Sequence, residues 1–130
     1  MATIKRFEDM AVWQKARELC NFIYPLTNKN SFARDFKLRD QINGSSGSVM
    51  DNIAEGYERD GNMELRQFLS ISKGSCGEVR SQLYRALDRN HISKEEFDKV
   101  YTLSEDISKQ LSNFISYINN SELKGLKFKN

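Results

Sequence analysis

Between Ser93 and Asn120 the chain places an apolar or small residue at strict steps of three and four: Phe97, Val100, Ser104, Ile107, Leu111, Phe114 and Ile118. Three heptads of that pattern fit an α-helix with one buried stripe, and such helices pack at shallow crossing angles in bundles. The start of this helix is equally defined. Ser93-Lys94-Glu95-Glu96 is a capping box, and Ile92 and Phe97 are spaced for a hydrophobic staple.

The remaining chain repeats the theme. From about 7 to 27, Val12, Ala16, Leu19, Ile23 and Leu26 form one helical stripe. Trp13, Cys20 and Tyr24 form a second line roughly 100° round, and Phe22 lies on the far side. That apolar arc is wider than one core face needs, so Trp13, Cys20, Phe22 and Tyr24 are expected at a contact with another subunit. Pro25 is expected to kink or end the helix. The segment 32–58 carries Leu38, Ile42, Val49, Ile53 and Tyr57 around Gly44-Ser45-Ser46-Gly47-Ser48, read as one helix whose small face lets a neighbouring backbone come close. Gly56 or Gly61 is its expected stop. Over 62–90, Asn62 is a plausible N-cap, followed by Leu65, Leu69, Ser72, Cys76, Val79, Leu83 and Ala86, with a second small run at Lys73-Gly74-Ser75-Cys76-Gly77. Two small faces of similar length suggest an antiparallel hairpin. Helices over about 7–27, 32–58, 62–90 and 93–120, joined by short loops, define an all-α, up-down-up-down antiparallel four-helix bundle over residues 1–120. Residues 121–130 read as a flexible basic tail.

Composition agrees with one domain: 130 residues, 38% hydrophobic and 29% charged, with one Pro and seven Gly. The net charge of +2 is too small to imply nucleic-acid binding, so any basic surface must be local. Cys20 and Cys76 lack a short-range CxxC partner and no secretory leader pattern opens the chain, which points to a reducing, cytoplasmic setting. No apolar run approaches the ~20 residues of a membrane span.

Three blocks carry a family resemblance: Phe7-Glu8-Asp9-Met10-Ala11-Val12-Trp13-Gln14-Lys15-Ala16, then Ser48-Val49-Met50-Asp51-Asn52-Ile53-Ala54-Glu55-Gly56, then Phe68-Leu69 through Gly74-Ser75-Cys76-Gly77-Glu78-Val79 and Gln82-Leu83. Up to about residue 118 the chain resembles the bacterial four helix bundle proteins encoded by intervening sequences within large-subunit (23S) ribosomal RNA genes, sometimes labelled ribosomal proteins. The resemblance implies a homo-oligomeric bundle, a pentamer, with no established enzymatic activity. A related branch looks like the accessory protein of diversity-generating retroelements, a pentameric barrel with a basic surface that engages a reverse transcriptase and nucleic acid. This chain departs from its relatives at Gly44-Ser45-Ser46-Gly47, where they tend to carry bulkier or basic residues.

Among candidate sites, Arg66, Lys73 and Arg80 recur every seven residues and Arg85 and Arg89 follow. The first three form a nearly continuous basic line beside the core stripe. Sequence-tolerant RNA or DNA binding through this line and the tail residues Lys124, Lys127 and Lys129 is the functional expectation; the bland alternative is a solvated helix face. A scaffold oligomer without nucleic acid, or one that binds a protein partner such as a nucleic-acid enzyme, competes with it. Asn52, Glu55, Ser75 and Glu78 are read as a polar network fixing the register of the paired helices. A di-metal centre would need a Glu-x-x-His on each of two helices, and the chain has one His, so neither metal nor cofactor is expected. Arg85-x5-His91 is similar to the spacing of HEPN-type ribonucleases, with His91 in proton transfer and Arg85 stabilising a phosphorane, as a minor enzymatic alternative.

Overall fold

The structure is a computed structural model that describes residues 4–121. Four helices follow one another: α1 over Ala11–Thr27, α2 over Phe36–Glu58, α3 over Asn62–Asp88 and α4 over Lys94–Ser121. Short 3-10 turns at Phe7–Asp9 and Asn30–Arg34 lead into α1 and α2. The basic tail, with Lys124, Lys127 and Lys129, lies outside the described residues.

Each helix packs antiparallel on the next, as paired contacts along the chain show. Cys20 and Thr27 of α1 meet Met50 and Asn43 of α2. Gln41 and Val49 of α2 meet Arg85 and Ser72 of α3. Arg66 and Arg80 of α3 meet Asn119 and Ser104 of α4, and Lys15 of α1 reaches Asp106 of α4 to close the bundle. The stripes converge inside, where Leu19, Ile42, Ile53, Leu69, Ile107 and Leu111 are fully buried. Burying each such side chain contributes about 1.5–3 kcal/mol.

Helix ends follow capping chemistry more than apolar pattern. The Ser93 box forms as a reciprocal pair: the Ser93 N–H donates to Glu96 Oε1 (2.9 Å) and the Glu96 N–H donates to Ser93 Oγ (3.0 Å). At α2, which starts four residues later than expected, it is Asp35 whose carboxylate accepts from the Leu38 N–H (3.4 Å). Gly61, at φ 116°, occupies the N-cap position expected for Asn62, in a region that glycine enters without strain. Pro25 does not end α1, which runs two residues further, because the φ that its ring fixes is itself helical and the loss of its one N–H leaves the last turn closed by its neighbours.

The small runs behave differently from expectation. Both helices are continuous, but a Cβ at Gly44, Gly47, Gly74 or Gly77 would meet nothing within 4 Å. These glycines face outward, and it is the serines that turn inward: Ser46, Ser72 and Ser75 are buried. Close approach happens instead at Gly56, which is not a helix stop; an added Cβ there would sit 2.8 Å from Phe68 Cβ and 3.3 Å from the Leu65 carbonyl oxygen.

The wide apolar arc of α1 is mostly used within the chain's own bundle. The Trp13 ring packs edge-on against Phe7 (5.2 Å), Cys20 Sγ lies 3.6 Å from Met50 Sδ, and Lys99 Nζ of α4 sits 4.2 Å over the Phe22 ring. A bundle helix faces two neighbours as well as the centre, so three of the four residues expected at a subunit contact are half-buried inside. Tyr24 alone is left open, 62% exposed.

Candidate nucleic-acid interface

The four cations of α3, with Arg89 just past its end, do not form a single stripe. Arg66 and Arg80 turn toward α4: Arg66 Nη1 donates to Asn119 Oδ1 (2.7 Å), and Arg80 Nη1 donates to the Ser104 carbonyl oxygen (3.3 Å) and Oγ (3.2 Å). Arg85 and Arg89 turn toward α2, where they donate to Gln41 Oε1 (3.1 Å) and Asp35 Oδ2 (2.9 Å). Five residues advance a helix by 500°, so Arg85 lies about 140° round from Arg80. The basic line therefore belongs to the α3–α4 side and ends at Arg80.

On that side a shallow groove of about 290 Å³ is lined by Lys73 and Arg80 of α3 and by Glu105, Ser108, Lys109 and Ser112 of α4. Three cations face one carboxylate across it. Lys73 and Lys109 are exposed and have no ion-pair partner among the described residues. The other carboxylates of α4 are largely held: Glu96 by Lys29, Asp98 by Lys94 and Asp106 by Lys15. A salt-bridging lysine holds the Asp106 carboxyl below its ordinary range, and Lys29 does the same for Glu96. Lys109 and the two serines belong to a helix with more acidic than basic residues, so the composition of that helix does not mark them.

The polar network forms around a residue the sequence pattern did not single out. Ser48 and Ser75 hydroxyls meet across α2 and α3 at 2.9 Å, and Asn52 Nδ2 donates to Ser48 Oγ (2.9 Å) and to the Ser48 carbonyl oxygen (2.8 Å). Glu55 and Glu78 stand outside it. Both are exposed, and Glu55 is paired with Arg59 one turn on (2.9 Å), since a charged carboxylate at a helix rim is better solvated than buried.

Arg85 and His91 do not converge either. Arg85 is engaged by Gln41, whereas the His91 ring stacks on Phe32 (5.1 Å) with both nitrogens occupied. Nε2 lies 2.8 Å from Asp35 Oδ2 and Nδ1 lies 2.7 Å from Ser31 Oγ. His91 and Arg89 together hold the Asp35 carboxyl at about 2. An ionised Asp35 is acceptor-only, so the Nε2–H donates to it, and in the neutral ring Nδ1 accepts from the Ser31 hydroxyl. The side chain of His91 is 9% exposed. It ties the α3–α4 corner to the start of α2.

The described residues hold no group of three or more His, Cys, Asp or Glu suited to a metal ion, and no helix among them is long and apolar enough to cross a membrane. Residues 8–113 match the model of the 23S rRNA-intervening sequence proteins. The chain belongs to that family. A crystal structure of a protein of unknown function from the S23 ribosomal protein family of Bacteroides thetaiotaomicron superposes with a TM-score of 0.74. It shares 22% sequence identity, and the match covers 81% of this chain and 98% of that one. At that identity the likeness shows the fold. No curated protein matches.

Two features of this intervening-sequence protein had no local signal. Ser31 and His91 are sixty residues apart, and each directly follows an asparagine at positive φ, Asn30 (55°) and Asn90 (60°). Asparagine tolerates this left-handed conformation better than most residues, and it lets each chain turn sharply just before the linked pair.

Proposed function

We propose that this 23S rRNA-intervening sequence protein is a non-enzymatic, self-associating bundle that binds the phosphate backbone of nucleic acid, without sequence preference, along the α3–α4 groove. The observation that carries the proposal is the convergence of Lys73, Arg80 and Lys109 on one groove, with the Ser108 and Ser112 hydroxyls beside them. Ammonium and guanidinium groups neutralise phosphates and hydroxyls donate to phosphate oxygens, and none of these contacts reads a base. Arg66 extends the same side by about two turns beyond Lys73, and Lys124 and Lys127 of the basic tail join the proposal by charge.

Self-association rests on the resemblance to pentameric relatives and on what the bundle leaves outside. Tyr24 and Phe36 are each 62% exposed, and the outward glycines of α2 and α3 leave helix surface open to a second copy. A ring would repeat one modest groove several times and bind by avidity.

The test is a light-scattering mass of the purified protein, alone and then with short RNA at low and at high salt. A closed oligomer that gains RNA mass only at low salt supports both parts. A closed oligomer indifferent to RNA favours a scaffold that takes a protein partner, and a monomer removes the assembly.

A further inference from the structure

The α3–α4 side carries a second feature at the end of its groove. Tyr84 of α3 is 50% exposed, one helical turn beyond Arg80. Its ring rests on two aromatic rings of α4, with centroids 4.9 Å from Phe97 and 5.7 Å from Tyr101. Phe97 and Tyr101 are themselves stacked at 5.2 Å and 28°, and Phe97 is 5% exposed. Tyr84 thus stands on an aromatic platform anchored in the core by Phe97. Arg80 links the two features, since its guanidinium lies 6.0 Å over the Tyr101 ring while the residue also lines the basic groove.

We propose that the α3–α4 face is a single-strand site, in which Tyr84 offers its exposed ring to an unpaired base while the backbone follows Arg80, Lys73 and Lys109 along the groove. This inference rests on the phosphate-binding proposal and adds the form of the nucleic acid. Charge alone attracts single strands and duplexes alike, but an aromatic face beside a basic track selects for bases that are free to stack. In a duplex the base faces are covered by their own neighbours, and a tyrosine on the outside of a helix bundle does not reach them. Lys73 and Tyr84 are eleven residues apart on one helix, about 16 Å. That length covers a few nucleotides of a single strand, within the range of small single-strand sites. Among the described residues, Glu105 is the one carboxylate lining the groove, set against three cations.

The experiment is an anisotropy titration of the full chain with a twelve-nucleotide RNA carrying 2-aminopurine, as a single strand and as a duplex with its complement. Wild type is compared with Tyr84→Leu, Tyr84→Phe and the double variant Lys73→Ala/Lys109→Ala, each shown by circular dichroism to be folded. The expected result is a preference for the single strand, a changed 2-aminopurine emission on binding, and a loss of about ten-fold or more in single-strand affinity for Tyr84→Leu. Tyr84→Phe retains the affinity, and Tyr84→Leu leaves duplex binding and its salt dependence unchanged. If Tyr84→Leu binds the single strand as wild type does while Lys73→Ala/Lys109→Ala weakens it, the stacking site is overturned and the phosphate groove stands. If neither RNA binds wild type, both fall.

Discussion

His91 Nε2 sits 2.8 Å from Asp35 Oδ2, and through that one carboxylate the corner between α3 and α4 is fastened to the N-terminus of α2. The same oxygen accepts from Arg89 Nη1 (2.9 Å), and the other oxygen caps α2 at the Leu38 N–H (3.4 Å).

Removing that carboxylate disconnects three donors at once. Asp35→Ala is expected to lower Tm by roughly 5–10 °C, the combined loss of a cap and of charge-assisted hydrogen bonds. Asp35→Asn keeps an acceptor for the cap and falls between Asp35→Ala and wild type. Thermal melts followed by circular dichroism at neutral pH measure both.

The acid limb of stability follows from the same contact. The folded carboxyl titrates at about 2 against an ordinary 3.8, so the folded state holds its proton less tightly than the unfolded chain does. The stabilisation is fully present above about pH 4 and is lost as pH falls from there toward 2. Melts between pH 2 and 6 are expected to show wild type losing stability through that window faster than Asp35→Asn.

Gly56 separates from the other helical glycines. Gly56→Ala drives a methyl group against Phe68 Cβ and the Leu65 carbonyl, neither a flexible chain end, and is expected to cost about 1–3 kcal/mol. Gly44→Ala and Gly74→Ala add a methyl group in open space and are expected to stabilise the bundle by up to about 1 kcal/mol each through helix propensity. Urea melts of the three variants decide the sign. A fall in oligomer mass for Gly44→Ala or Gly74→Ala would place those faces against a second copy.

The thiols report packing. Burial pushes Cys76 up to about 11, while Cys20, half-buried beside Met50, is raised chiefly by desolvation. Ellman's reagent at pH 8 is expected to modify Cys20 slowly and Cys76 only on unfolding, so Cys76 labelling serves as a clock for global opening.

The bundle was legible because its information is local. Heptad spacing in α4 and the Ser93 box depend on residues within a few turns, and both sit where periodicity puts them. What was not legible is azimuthal. The order of residues in Gly44-Ser45-Ser46-Gly47 does not say which of them face the neighbour, and a 100° rotation per residue separates an inward Ser46 from an outward Gly44. The same rotation carries Arg85 and Arg89 to the α2 side and leaves Arg80 beside α4. Ser108 and Lys109 meet Lys73 and Arg80, and Ser31 and Asp35 meet His91, only through helix pairing, so no single window of the chain contains either set.

The most direct measurement is the salt dependence of RNA binding by wild type and by Lys73→Ala, Lys109→Ala and their combination. Phosphate neutralisation releases counterions, so log K should fall linearly with log salt concentration, and each lysine removed should flatten the slope by about one unit. The double variant is expected to lose close to two units while remaining folded. Binding with no salt dependence, or a slope unchanged in the double variant, would contradict a phosphate site in the α3–α4 groove.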